Sequence, residues 1–193
     1  MNYLAHIFLS GTNRGIQIGN FIGDAVKGGN YNLYPEEIRS GILLHREIDN
    51  YADHHPLFRE AVGMLRGDFG RYAAVLVDIY FDYFLATRFS IYSGKPLRPF
   101  CRGFYRTLVC HYRYLPKQVK GFVWHFILTN RLCRYASARG IQESLEIMVA
   151  FKNLKIDPEE AIRFLREHEE RLGALFDAFF PEMIHHCKVY FGK

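Results

Sequence analysis

The sequence predicts an all-α protein, a single helical domain spanning residues 1–193. Three observations carry that expectation. Apolar residues recur at helical spacing, helix-start signals precede several of these runs, and no alternating run bounded by hairpin turns occurs. At 193 residues, with 49% hydrophobic and 23% charged content, the chain is long enough to bury a core and has the balance of a globular protein. Its 17 Phe and 13 Tyr imply an interior packed with rings. There is no repeat, low-complexity segment or linker to divide it.

The elements follow in order. MNYLAHIFLS is apolar except for His6, set between Ala5 and Ile7. Ile18, Phe21, Ile22, Ala25 and Val26 form a helical stripe that Gly28-Gly29 stops. Gln17, Asn20 and Asp24 share the opposite face, which alone reads as solvated. Pro35 followed by Glu36-Glu37 reads as a first turn, with acidic groups at the positive end of the helix dipole. Ile38, Ile42, Ile48 and Ala52 mark the inward face of that helix. Ser93-Gly94-Lys95-Pro96 and Leu115-Pro116 are turns, and Gly140 is expected to separate two helices. Asp157-Pro158-Glu159-Glu160 is a helix start, with Asp as cap and Pro at the first helical position.

Composition narrows the functional classes. No uncharged apolar run approaches the roughly 20 residues that cross a bilayer. The N-terminal segment lacks a basic leader, so a cytoplasmic location is expected. Cys101, Cys110, Cys133 and Cys187 form no CxxC pair, which fits reduced thiols better than disulfides or zinc. A net charge of +5 favours an anionic partner.

Between Tyr72 and Thr87 the only charged residues are Asp78 and Asp82, in VDIYFDYFLA. Residues four apart lie on one helix face, so both carboxylates point the same way from an apolar helix. Unpaired, each would cost several kcal/mol or protonate. In the preceding helix His45 and Asp49 repeat the spacing in the middle of the inward face, and Asp53 follows one turn on. Imidazoles and carboxylates gathered from several helices suit a divalent metal site. For Asp78 or Asp82 taken singly, an ion pair with Arg46, Arg71 or Arg88 explains the charge equally well. His6 alone is more ordinarily a hydrogen-bonded core histidine. Asp53-His54-His55-Pro56 reads as a polar helix end, and the lone ExxH of Glu182 and His185 as chance. Arg98, Arg102 and Arg106 follow a four-residue spacing, as either a solvated face or a docking stripe for an anion.

The order MNYLAH, GNFIGD (19–24), GILLHREIDNYAD (41–53), VDIYFDYFLA (77–86), RYASARGI (134–141) and FFPEM (179–183) resembles the acyl carrier protein phosphodiesterase family from end to end. The resemblance implies a helical fold distantly similar to HD-type metal-dependent phosphohydrolases. It also implies hydrolytic removal of 4′-phosphopantetheine from holo-acyl carrier protein with Mn²⁺ or Mg²⁺. The family's polar motif positions fall on His6, Asp24, His45, Arg46, Asp49, Asp53, Asp78 and Asp82. Tyr83 stands where members commonly carry His, Leu43 where some do, and HREID lacks the adjacent His-Asp pair of standard HD enzymes. On this basis Asp24, His45, Asp49 and Asp78 are the expected metal ligands. Asp82 is expected to act as a further ligand or base, Arg46 as a phosphate contact or ion-pair partner, and His6 as the acid or a support. The expected partner is the acidic holo-carrier, with neither nucleic acid nor membrane. A nucleotide phosphohydrolase and a basic RNA-binding module are the competing classes.

Overall fold

A computed structural model describes residues 1–152 and 154–191. Among them, helices succeed one another without a strand. The first, α1 (Tyr3–Leu9), leads into α2 (Arg14–Ile22), capped by the Asn13 side chain, which accepts from Ile16 N at 3.0 Å. Next comes α3 (Glu36–His54), which Pro35 precedes as the capping residue rather than entering the first turn. The α2 and α3 backbones approach through glycines. A Cβ on Gly19 would stand 2.0 Å from Ile38 O, and one on Gly41 2.2 Å from Ile16 O. Only hydrogen at both positions allows this crossing, which sets His45 against the end of α2.

His55 ends α3 and starts α4 (Pro56–Phe69), its ring nitrogen accepting from Leu57 N. The polar helix end read from the sequence is there, but His55 is buried and its other nitrogen meets Glu182 Oε2 at 3.2 Å. That contact also accounts for the glutamate of the ExxH. The apolar α5 (Ala73–Thr87) runs through the centre, with Tyr80, Phe81 and Phe84 almost wholly excluded from solvent. Short α6 (Phe89–Ser93) ends at Gly94, which adopts φ 64°. It is followed by α7 (Leu97–Cys110), α8 (Lys117–Lys120), α9 (Val123–Leu128) and α10 (Arg131–Arg134).

Gly140 lies inside α11 (Ala138–Lys152) instead of breaking a helix. The reason is local: Ser137 Oγ accepts from Gly140 N at 3.1 Å, so the serine caps the helix and starts it earlier. The Asp157 cap and Pro158 start α12 (Pro158–Glu167) as read, and α13 (Glu169–Phe191) closes the described chain. Phe176 and Phe179 of α13 pack on Phe58, Phe81 and Phe84, and Phe180 on Phe8 and Tyr92, forming the ring-filled core. Each buried Phe contributes roughly 1.5–3 kcal/mol relative to exposure. Among the described residues no helix is long and apolar enough to cross a membrane.

Candidate metal centre

The site lies where α1, α2, α3 and α5 meet. Its anchor is Asn20, which is fully buried, contrary to the solvated face its spacing implied. The short α1 packs against α2 and covers that face. Asn20 Nδ2 donates to His6 O at 2.8 Å and to Ser10 Oγ at 2.9 Å, which leaves its side-chain oxygen toward the His6 ring. His6 Nδ1 donates to that oxygen at 2.7 Å, so in the neutral ring Nε2 carries the lone pair. The backbone carbonyl of the same Asn20 accepts from His45 Nδ1 at 2.8 Å. The two imidazoles stack, with centroids 4.1 Å apart. Gly23 makes room for this: a Cβ there would lie 2.3 Å from His45 Cγ.

Both Nε2 atoms face Asp49, which is positioned by the same α3 face as His45. His6 Nε2 lies 3.2 Å from Asp49 Oδ1 and His45 Nε2 3.2 Å from Asp49 Oδ2. Asp24, exposed at the rim, brings Oδ1 to 3.4 Å from His45 Nε2. His45 Nε2 is buried and makes no aligned hydrogen bond, and His6 Nε2 also faces Met1 O at 2.9 Å. His6 Nε2 thus faces two oxygens, Met1 O and Asp49 Oδ1, while the Met1 amino group donates to the same Asp49 Oδ1 at 3.3 Å. One donor atom from each of His6, His45 and Asp49 lies within 4.8 Å of the others, a spacing that fits a single divalent ion. Ring nitrogens fixed from behind by hydrogen bonds are a regular accompaniment of metal ligation.

The electrostatics follow from this crowding. Burial lowers the His6 pKa to about 4, with His45 and the Met1 amino group acting in the same direction. Burial also opposes charge on His45, but Asp24 and Asp49 outweigh it and raise its pKa to about 9. Asp49 is held far below the usual carboxylate range, as His45, His6 and the Met1 amino group overcome its burial.

The sequence order that first pointed to a family is matched over residues 1–183 by the profile described as acyl carrier protein phosphodiesterase. The chain belongs to that family. Relatives named acyl carrier protein phosphodiesterase include those of Yersinia pestis (27% identical, covering 95% of this chain and 96% of theirs). Those of Enterobacter sp. strain 638 (30%; 97% and 98%) and Klebsiella pneumoniae (31%; 95% and 96%) carry the same name. Phosphodiester hydrolysis is thus the activity class of the acyl carrier protein phosphodiesterase family to which the chain belongs. No solved structure matches the chain.

The remaining expected residues surround the His6, His45 and Asp49 cluster at different removes. Asp78 Oδ1 is 2.8 Å from the Met1 amino nitrogen, which is itself 3.3 Å from Asp49 Oδ1. Burial pushes the Asp78 carboxyl up, with the Asp49 and Asp53 carboxylates adding to it against that amino group. Asp82 is fully buried, and its oxygens accept from Leu4 N at 2.7 Å and Ala5 N at 3.0 Å. It therefore caps α1, whose own N-cap residue Asn2 makes no side-chain capping bond. Burial nevertheless raises its pKa to about 7, against both amides.

Neither Asp78 nor Asp82 meets an arginine, so the ion-pair alternative does not hold among the described residues. Arg71 bonds Tyr72, and Arg88 pairs with Asp177. Arg46 forms no ion pair with an aspartate either. It donates to Val26 O at 3.1 Å and Gly28 O at 2.7 Å and lies over the Tyr31 ring, fastening the loop that follows Asp24. Arg98, Arg102 and Arg106 are exposed along α7, while Phe104 and Tyr105 of the same helix face the core. Sequence reasoning missed Asn20 and Met1. The backward hydrogen-bond partners of His6 depend on where α1 docks, which no local pattern reveals.

Proposed function

We propose that the chain is a metal-dependent phosphodiesterase that releases 4′-phosphopantetheine from the serine of holo-acyl carrier protein. The observation that carries the reading is the pair of Asn20-fixed imidazoles presenting Nε2 to Asp49. Around it stand the family membership and the names of the relatives.

We assign His6, His45 and Asp49 as the protein ligands, with Asp24 completing the set from the rim. His6 thus moves from acid to ligand. Two imidazoles beside carboxylates suit Mn²⁺ better than Mg²⁺, which prefers oxygen donors. A bound divalent ion would lower the pKa of its water and offset charge on the phosphoryl oxygens. The chain's own part is to fix the donors. Asn20 sets the imidazole tautomers, Asp82 holds α1 and hence His6, and Arg46 holds the loop beside Asp24. Asp78 acts behind Asp49 through the Met1 amino group.

The test is phosphopantetheine release from holo-carrier, followed by mass, with chelator and after metal restoration. Release lost to chelator and restored by Mn²⁺ is expected. Turnover of small nucleotides alone would instead place the chain among nucleotide phosphohydrolases.

A further inference from the structure

A second polar feature lies outside the metal centre. Between α4 and the start of α5 runs a groove of about 370 Å³, with Asp53, Arg59, Gly63, Arg66 and Ala74 among its lining residues. Arg59, Gly63 and Arg66 are spaced four and three apart, so all three share one face of α4. Gly63 leaves the middle of that face open, since a Cβ built there meets nothing within 4 Å. Both arginines are exposed, and among the described residues the arginine ion pairs belong to Arg88, Arg134, Arg139 and Arg171. The groove thus carries two guanidinium groups against the single carboxylate of Asp53, and neither arginine is in an ion pair with it.

Its position gives these charges meaning. Asp53 lies one helical turn beyond Asp49 on α3, and Ala74 lies one turn before Asp78 on α5. The groove therefore adjoins the metal centre along two helices, α3, which supplies Asp49, and α5, whose Asp78 stands behind Asp49 on the Met1 amino group. We propose that Arg59 and Arg66 form a docking subsite for a carboxylate-bearing segment of the carrier protein, next to the serine that bears the prosthetic group. This rests on the reading of the carrier as substrate and deepens it. The scissile phosphate belongs at the metal centre and the pantetheine arm is uncharged, so carboxylates of the protein moiety are the remaining anions. A space of this size admits side chains but not a folded domain. The net charge of +5 fits an anionic partner.

The test uses the metal-loaded full chain in two forms, Arg59→Glu with Arg66→Glu, and Gly63→Leu. The second fills the groove from an open helix position that tolerates a side chain, so its fold is not at risk. Each is assayed on holo-carrier and on bis(p-nitrophenyl) phosphate, a diester with no protein moiety. KM for the carrier is expected to rise about tenfold or more in both, with kcat and small-diester turnover within about twofold of wild type. The proposal is overturned by wild-type KM in both forms, or by equal losses on both substrates. Wild-type protein that cleaves the small diester but leaves holo-carrier intact overturns the parent reading separately, before any variant is compared.

Discussion

The Asn20 side-chain oxygen accepts from His6 Nδ1 at 2.7 Å, and this contact decides which nitrogen of His6 faces Asp49. His45 takes the same orientation from the Asn20 backbone carbonyl, which survives any change of side chain. Asn20→Ala should therefore free the His6 tautomer and leave His45 fixed. Divalent-metal affinity is expected to fall about 10–100-fold, and ring-nitrogen NMR should show a change at His6 alone. Unchanged affinity would remove Asn20 from the site.

Asp82→Asn keeps the shape but, above the raised Asp82 pKa of about 7, gives up the anionic cap of α1. The loss is expected to be about 1–3 kcal/mol by denaturant unfolding, while the folded fraction still binds metal. Stability at the wild-type level combined with loss of the ion would identify Asp82 as a ligand instead of a cap.

Gly23→Ala places a methyl group 2.3 Å from His45 Cγ, and the imidazole must shift. Activity is expected to drop at least about tenfold, since displaced donors no longer converge, with far-ultraviolet dichroism unchanged. Wild-type activity in this variant would show that the His45 placement is not needed.

The two histidines give the metal-free protein opposite pH dependences. The His45 pKa is raised from 6.5 to about 9, so its stabilisation is full below 6.5 and is lost as pH rises through 9. The His6 pKa is lowered from 6.5 to about 4, so its contribution is present above 6.5 and is lost as pH falls toward 4. From this pair, thermal stability after chelation should decline on both sides of pH 6.5. His45→Gln should flatten the alkaline side; a slope unchanged in that variant would contradict the assignment.

Arg98, Arg102 and Arg106 present an exposed basic face on α7. Reversing all three to Glu should raise KM for the carrier and weaken its salt dependence, with little effect on kcat. A wild-type KM would leave the stripe as a solvated surface.

Much of this was legible from spacing. Four-residue intervals on apolar faces pointed to His45, Asp49, Asp78 and Asp82, because a charge on a buried stripe demands compensation. What compensates each was not legible. Asp82 is answered by two α1 amides and Asp78 by the Met1 amino group, partners 78 and 77 residues away for Asp82 and at the far end of the chain for Asp78. Asn20 was read as solvated because helical period assigns faces relative to one stripe, whereas α1 covers the opposite side. Gly19 and Gly41 punctuate no turn; they mark the crossing that brings His45 to Asn20.

The most direct measurement is Mn²⁺ binding, followed by electron paramagnetic resonance, to chelator-stripped wild type, His45→Ala and Asp49→Ala. Saturable binding in wild type that is lost in either variant is the predicted result. Binding of equal strength in all three would contradict a metal centre built on His6, His45 and Asp49.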